Sequence, residues 1–363
     1  MQIGVPKEIK DHEYRVGLTP ESVKVLVSHH HHVFIEQGAG AAAGFSDEIY
    51  KAMGAEIVPF SADIFQKSDL IVKVKEPQPI EYQQLRSEQI LAAFLHLAPD
   101  IQQAKGLLAS GCSAFAYETL MDEKGKLPLL APMSEIAGAL SIQVAAYFLL
   151  KTQGGSGVLL SQISKGDKTK VVVLGAGVAG TAAVRAAVGL GATVTVLDKS
   201  LAQLESLGKI FESKVKRVVV NPAALEEAVE GADILIGAVL VPGRSAPKVI
   251  TRELLKKLNK NSVVVDLAID QGGCFETSRA TTYSQPTYLE EDIVHYCVTN
   301  MPAGVPKTAS IALNRATLPF ITLLANKGVE KAILESAALK SSLNIHKAQL
   351  MHEGVAASLK ISN

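Results

Sequence analysis

The sequence predicts an α/β protein made of two Rossmann-like, doubly wound parallel-sheet domains with a cleft between them. Three observations carry this. Short apolar runs alternate with helix-like stretches along most of the chain, the pattern of βα units. A glycine fingerprint, VVVLGAGVAG at residues 171–180, lies between a strand-like run and a helix-like run. The length, 363 residues, exceeds what one hydrophobic core usually serves.

In the first part of the chain, Gln2–Val5, His32–Glu36, Leu70–Val74, Ile90–Leu95 and Ala114–Glu118 read as strands, and Pro20–His29 reads as a helix. No glycine fingerprint follows any of these strands, so this half is expected to be a Rossmann-like layer without a nucleotide of its own. Ser134–Thr152 is a long, nearly uncharged helical stretch with Ser134 as its N-cap. Being apolar around most of its circumference, it is expected to be buried between domains or subunits. Gly154, Gly155 and Gly157 then break the chain. A second α/β layer follows, with strands near 171–174, 192–197, 216–220, 233–238, 262–267 and 294–299. After the turn-rich MPAGVP at 301–306 come helical segments near 309–326, 329–342 and 347–360. A helical tail without strands has no α/β core of its own and is expected to pack back on the first half. The expected domains are therefore 1–128 with 307–363, for substrate and catalysis, and 129–306, for the dinucleotide.

Composition narrows the function. Lys plus Arg and Asp plus Glu both number 36, so the net charge is zero, which argues against a broad nucleic-acid or membrane surface. Cys112, Cys274 and Cys297 are odd in number and widely spaced, and they read as reduced packing residues. The N-terminus lacks the basic flank and apolar run of a signal peptide, and no stretch reads as a membrane helix. A soluble cytoplasmic enzyme is the expectation. The run His29–His32 is rich in metal-binding side chains, but adjacent residues point in different directions, so an exposed connection is the preferred reading.

Each part of the fingerprint has a physical use. Gly175 allows a tight turn, Gly177 lets the backbone approach a pyrophosphate, and Gly180 lets the helix lie close on the strand. A helix-like stretch, Thr181–Leu190, follows, and the free N–H groups and positive end of that helix favour phosphate. Asp198 ends the next strand about 20 residues on, where a carboxylate accepts from ribose hydroxyls and repels a 2′-phosphate, which favours NAD.

Titratable residues cluster at the ends of the first-half strands, where a parallel sheet presents its site. Arg15 lies in EYRVGLTP, Lys75 ends LIVKVKEP, His96 ends ILAAFLHL, and Tyr117 and Glu118 end SAFAYE. Arg15 and Lys75 together suit a small carboxylate, the one as a planar fork and the other as a point charge. Periodicity does not choose between Lys75 and Lys73, which lie two residues apart. His96 suits proton transfer near neutral pH, although a histidine on an apolar strand is more often a core residue. In the second half, Asp266 and Asp270 follow the strand of VVVDLAID, with Asp270 read as a general base or as a loop cap. GAVLVPG at 237–243 and Asn300 also follow strands.

Taken together, these blocks resemble the NAD-dependent L-alanine dehydrogenases and, more distantly, the NAD-binding domain of proton-translocating transhydrogenases. The resemblance covers essentially the whole chain. It rests on IGVPKEIKDHEYRVGLTP, KVKEPQ, FLHLA, AYET, PLLAPMSEIAG, TQGG, VVVLGAGVAG, IGAVLVPG, VDLAIDQGG, TTYSQPTY and NMPAGVPKTAS, in the family's order and spacing. It implies that Arg15 and Lys75 hold the substrate carboxylate and carbonyl, that His96 and Asp270 carry the acid/base steps, and that Tyr117 and Glu118 shape the substrate side. It implies NAD contacts at Ser134, Gly175, Gly177, Val178, Ala179, Gly180, Asp198, Val239, Leu240, Asn300, Met301 and Pro302. The implied reaction converts L-alanine to pyruvate and ammonia with no metal, and the implied assembly is a homohexamer. One departure is Gln203, where some relatives place a basic residue. The competing readings are a non-catalytic NAD(H)-binding transhydrogenase module, an NAD-regulated sensor, and an amino-acid or opine dehydrogenase with another substrate.

Overall fold

The computed structural model describes residues 1–164, 166, 168–239 and 246–359. Its strands, in chain order, are β1 (Gln2–Val5), β2 (His32–Glu36), β3 (Glu56–Val58), β4 (Leu70–Val72), β5 (Ile90–Ala93), β6 (Ser113–Ala116), β7 (Lys170–Leu174), β8 (Thr193–Asp198), β9 (Val215–Val219), β10 (Ile234–Gly237), β11 (Val263–Asp266), β12 (Thr287–Glu290), β13 (Ile293–Tyr296), β14 (Leu343–His346) and β15 (Gln349–Leu350). The chain divides into two compact units, one of Met1–Met133 with Ala303–Asn363 and one of Ser134–Pro302.

The first unit holds an eight-stranded sheet in the order β15-β14-β6-β5-β4-β1-β2-β3. Strands β1 to β6 are parallel to their neighbours, and β14 joins β6 antiparallel. β4, β5 and β6 are buried along their whole length, which is why they read as unbroken apolar runs. The second unit holds a seven-stranded sheet, β12-β13-β11-β10-β7-β8-β9, parallel except for the edge strand β12. Its two faces bury separate cores, Val171 and Val173 with Ile234, Ile236, Val263 and Val265 on one side and Val172 with Leu235 and Val264 on the other. Both sheets are doubly wound. The direction of winding switches between β1 and β4 in the first sheet and between β7 and β10 in the second.

Several expectations are corrected. The tail contains two strands: β14 and β15 extend the first sheet, because Leu343 and Ile345 bury their side chains beside Ala114 and Phe115. The three-residue strand β3 and the edge strand β12 were not foreseen; neither carries a long apolar run. Ser134 is not an N-cap, because the helix runs from Ala131 to Phe148 and starts three residues earlier. Pro132 suits that first turn, and the Ala131 N–H reaches back to the Leu127 carbonyl at 3.0 Å. The Pro306–Glu335 helix is, by length and composition alone, long and apolar enough to cross a membrane, contrary to the sequence expectation. It contains Pro319, is kinked at Gly328, and buries Ser310, Asn314 and Thr317 in the first unit. Within the four-histidine run, His31 is buried, not exposed: its Nε2 meets Asn326 Oδ1 at 2.9 Å. Among the described residues, no group of three histidine, cysteine or acidic side chains is placed to hold a metal.

Candidate functional site

In the first unit, the candidate residues follow the carboxyl ends of β1, β4, β5 and β6, around the switch point where an open α/β sheet offers its crevice. Arg15 lies in the segment after β1. Its guanidinium grips Glu13 with two bonds, Nε to Oε1 at 2.7 Å and Nη2 to Oε2 at 2.5 Å, and Nη1 lies 3.1 Å from Met133 Sδ. Both ionic side chains are buried.

The two lysines after β4 have different surroundings. Lys73 Nζ donates to Glu8 Oε2 at 3.0 Å and Glu81 Oε1 at 2.8 Å, all within the interior. Burial alone would lower the Lys73 pKa, but the two carboxylates more than offset it and hold the value up. Lys73 is thus a structural ion. Lys75 Nζ lies 3.9 Å from a Glu76 carboxylate oxygen, and its charge acts on both His96 and Glu118. β4 ends at Val72, so strict alternation no longer governs where these two side chains go.

His96 sits just past β5 with a left-handed backbone, φ 48°. The Glu118 carboxylate holds that backbone, accepting the His96 N–H at 2.7 Å and the Leu95 N–H at 3.1 Å. Phe94 stacks on the imidazole with ring centres 6.1 Å apart and meets the Tyr117 ring edge-on at 5.4 Å. Burial, and then the charges of Lys75, Lys10 and Arg15, push the His96 pKa well below its ordinary value, so the ring is neutral near pH 7. Burial raises Glu118, against the pull of its own, His96 and Leu95 backbone N–H groups and the Lys75 charge. The Tyr117 hydroxyl is buried with no hydrogen-bond partner among the described residues, and burial, with the Glu8 charge adding to it, keeps it protonated. The neutral His96 ring thus stands within the fields of Lys75, Lys10 and Arg15, of which Arg15 is paired with Glu13 and Lys10 with Glu76.

In the second unit, the fingerprint lies between β7 and the Val178–Gly189 helix, at the β7/β10 switch point. Gly175 has φ 102°, and a Cβ there would come 2.4 Å from the Ala238 carbonyl oxygen. A Cβ on Gly180 would come 1.8 Å from the Gly175 carbonyl oxygen, whereas one on Gly177, the N-cap, would meet nothing within 4 Å. Gly175 and Gly180 are therefore demanded by the fold. Gly177 leaves open space over the helix start, where Val178 and Ala179 expose N–H groups without intrahelical partners. A groove of 280 Å³ lies there, lined by Ala176, Gly177, Val178, Glu135, Arg185 and Gln203 among others. Asp198 Oδ2 accepts the Ala176 N–H at 2.6 Å, and Oδ1 accepts the Ser200 N–H at 2.7 Å. The residues present fit a dinucleotide: donors for a pyrophosphate, a gap that a side chain would fill, and an acidic strand end.

The remaining candidates take these places. Ser134 is half-buried in the first turn of its helix. Val239 follows β10 and is half-buried, while Leu240 lies outside the described residues. Asp270 is exposed in the short helical turn Ile269–Gln271 after β11. Asn300 has φ 59°, and Met301 and Pro302 are buried just after it.

Sequence reasoning missed several supports. Glu13 and Glu8 are partners of Arg15 and Lys73, and the alternation of acids and bases over residues 7–15 was the available signal. Asp266 is fully buried and accepts from the Ala268 N–H at 2.9 Å, the Cys274 N–H at 2.8 Å and the Ser278 hydroxyl at 2.5 Å, which shapes the loop bearing Asp270. Gly138 lets its helix meet the fingerprint: a Cβ there would lie 2.0 Å from the Ala179 carbonyl oxygen.

Comparison with known proteins places the chain in a family. Residues 4–137 match the family described as "Alanine dehydrogenase/PNT, N-terminal domain", and residues 141–353 match its C-terminal domain. The alanine dehydrogenase of Halomonas elongata is 49% identical over 98% of this chain and 96% of its own length. That of Bacillus subtilis is 45% identical, over 99% and 95%. A solved L-alanine dehydrogenase superposes with a TM-score of 0.96 at 48% identity, covering 99% of each chain. A transhydrogenase from Sinorhizobium meliloti superposes at 0.84 with 26% identity, over 97% of this chain and 99% of that one. The chain belongs to the alanine dehydrogenase/PNT family, whose enzymes use a nicotinamide dinucleotide.

Proposed function

We propose that the protein is an NAD-dependent L-alanine dehydrogenase, catalysing the reversible conversion of L-alanine, NAD⁺ and water to pyruvate, ammonium, NADH and a proton. One observation carries the reading: Arg15, Lys75, His96 and Glu118 gather at the switch point of a sheet that lacks a glycine fingerprint, in a chain whose other sheet has one. The alanine dehydrogenases reported above support the choice of substrate.

In this mechanism Arg15 and Lys75 hold the substrate carboxylate and carbonyl oxygen. Glu13 keeps the guanidinium fork in one orientation. Ser134, the Gly175–Gly180 loop, Asp198, Val239, Leu240 and Asn300–Pro302 hold NAD, with Asp198 on the adenosine ribose. Bound there, the nicotinamide supplies the acceptor for the hydride that leaves the substrate α-carbon. His96 or Asp270 takes a proton from the water that adds to the iminium, and returns one to the amine as the carbinolamine collapses. Tyr117 and Glu118 border the substrate, and Glu118 also fixes the His96 backbone. A carboxylate arriving on Arg15 and Lys75 offsets the cations that depress His96, so the ring becomes a better base once substrate is present.

We assign a homo-oligomeric, hexameric state and a cytoplasmic location from the family resemblance. Exposed Tyr147, Leu150, Leu159 and Ile163 on the second unit suit an interface between copies.

The reading is tested by following reduced cofactor with a panel of L-amino acids, supplying NAD or NADP in turn. L-Alanine with NAD is expected to give the highest rate. Tight NADH binding without turnover of any amino acid would replace this reading with the transhydrogenase-like one, and a preference for NADP would overturn the role of Asp198.

A further inference from the structure

Arg15 lies in no helix or strand. It belongs to the stretch between β1, which ends at Val5, and the helix that starts at Pro20. A guanidinium held on Glu13 through Nε and Nη2 meets a second carboxylate from one direction only, so it tolerates little displacement. The backbone just after it is fixed from the far end of the chain. The Val16 N–H donates to Ser310 Oγ at 3.1 Å, and the Thr19 N–H donates to Asn314 Oδ1 at 2.8 Å. The same Oδ1 accepts the Ser22 hydroxyl at 2.8 Å, and Asn314 Nδ2 donates to the Ser310 carbonyl at 2.9 Å and the Val16 carbonyl at 3.5 Å. Ser310 and Asn314 are one turn apart on the Pro306–Glu335 helix, share a face, and are buried.

The opposite side of the segment is fixed as well. A Cβ on Gly17 would come 2.3 Å from the Val72 carbonyl oxygen, so the backbone at 17 lies directly on the end of β4. From Val72 the chain runs through Lys73 to Lys75. Residues 16–19 are thus clamped between the tail helix and the strand that delivers the second cation.

Building on the proposed function, we infer that Asn314, with Ser310, is a positioning residue for the substrate carboxylate: it sets where Arg15 stands relative to Lys75. Asn314 touches no reacting atom. Its Oδ1 accepts from both the Thr19 N–H and the Ser22 hydroxyl, and no shorter or apolar side chain satisfies the two together.

The test is a double-mutant cycle on the full chain. Pyruvate affinity is measured by calorimetry on the NADH-loaded protein, and NADH affinity by fluorescence. Asn314→Ala is expected to weaken pyruvate about tenfold and leave NADH within about twofold, a coupling of the size seen for contacting residues. Asn314→Asp keeps the acceptor for Thr19 and Ser22 and is expected to restore most of the loss. In an Arg15→Lys background, where the fork is gone, Asn314→Ala is expected to add less than about twofold. An undiminished loss in that background, a parallel loss of NADH, or no loss at all would overturn the inference. If Asn314→Ala does not fold, Ser310→Ala, which removes the acceptor of the Val16 N–H, runs through the same cycle and reads the same coupling. A parent protein that binds pyruvate but does not turn over L-alanine would sink the proposed function and leave this inference standing. A parent that does not bind pyruvate would sink both.

Discussion

The two sheets have the same winding, β3-β2-β1-β4-β5-β6 in the first unit and β9-β8-β7-β10-β11-β13 in the second. Each therefore leaves a crevice beyond its strand ends at one switch point. They furnish it with opposite chemistry. The second unit removes side chains: glycines bring backbone close, helix N–H groups face open space, and one carboxylate stands at a strand end. The first unit buries ions: Arg15 on Glu13, Lys73 between Glu8 and Glu81, and Lys75 beside a neutral His96. A site made of backbone needs no further partners, whereas each buried charge needs an opposite charge held in place. The fold is shared, and the crevices differ because the loops that furnish them differ.

The largest effect that sharpens this comparison is on turnover. Lys75→Ala and Arg15→Met are expected to lower kcat/KM by about three orders of magnitude, because a buried charged hydrogen-bond partner of the substrate is lost. NADH affinity, measured by fluorescence, is expected to stay within about twofold, since it belongs to the other unit. A matching fall in NADH affinity would break the division of labour.

Next in size is a contrast between neighbouring lysines. Lys73→Met leaves Glu8 and Glu81 buried without their cation and is expected to cost about 3–5 kcal/mol in chemical denaturation. Lys75→Met is expected to cost less than about 1.5 kcal/mol while abolishing turnover. Equal stability losses would show that the two side chains are not functionally separate.

Within the second unit the glycines divide in the same way. Gly180→Ala drives a Cβ against the Gly175 carbonyl and is expected to cost about 1–3 kcal/mol or more. Gly177→Ala is expected to change stability by under about 0.5 kcal/mol, yet to weaken NADH. Unchanged NADH affinity in that variant would remove the pyrophosphate from this groove.

The smallest expected effect is a fraction of a proton. His96 titrates below the ordinary imidazole value in the folded protein. Between the two values the unfolded chain holds more protons, so this group adds stability as pH rises through that window. A carboxylate bound on Arg15 and Lys75 moves the folded value back up. Pyruvate binding near pH 6 is therefore expected to take up protons, read by calorimetry in buffers of different ionisation enthalpy, and His96→Gln is expected to abolish the uptake. Proton release on binding would contradict the electrostatic reading of the pocket.

The doubly wound architecture was legible because buried parallel strands write themselves as short apolar runs, and Val171–Leu174 followed by three glycines is a strong case. The strand-end residues Lys75, His96 and Glu118 were legible for a related reason: a titratable residue just after an apolar run stands where the sheet ends, whereas Arg15, ten residues past β1, was marked only by its place before the Thr19–Pro20 helix start. β14 and β15 were not legible, because Leu343–His346 is too short and mixed to stand apart from helical sequence, and only pairing with β6 makes it a strand. The choice between Lys73 and Lys75 needed the positions of Glu8 and Glu81, which are distant in sequence and meet Lys73 only in the fold. Asn314 was invisible for the same reason, since it acts on a segment almost 300 residues away.

The most direct test of the division between the units is NADH formation from NAD and L-alanine, compared in the parent protein and in His96→Ala, with NADH binding measured alongside. The account predicts a rate in the parent, a loss of about 10²–10⁴-fold in the variant, and the same NADH affinity in both. Equal rates in parent and variant would remove His96 from the reaction and contradict the assignment of the first unit as the place where substrate chemistry is done.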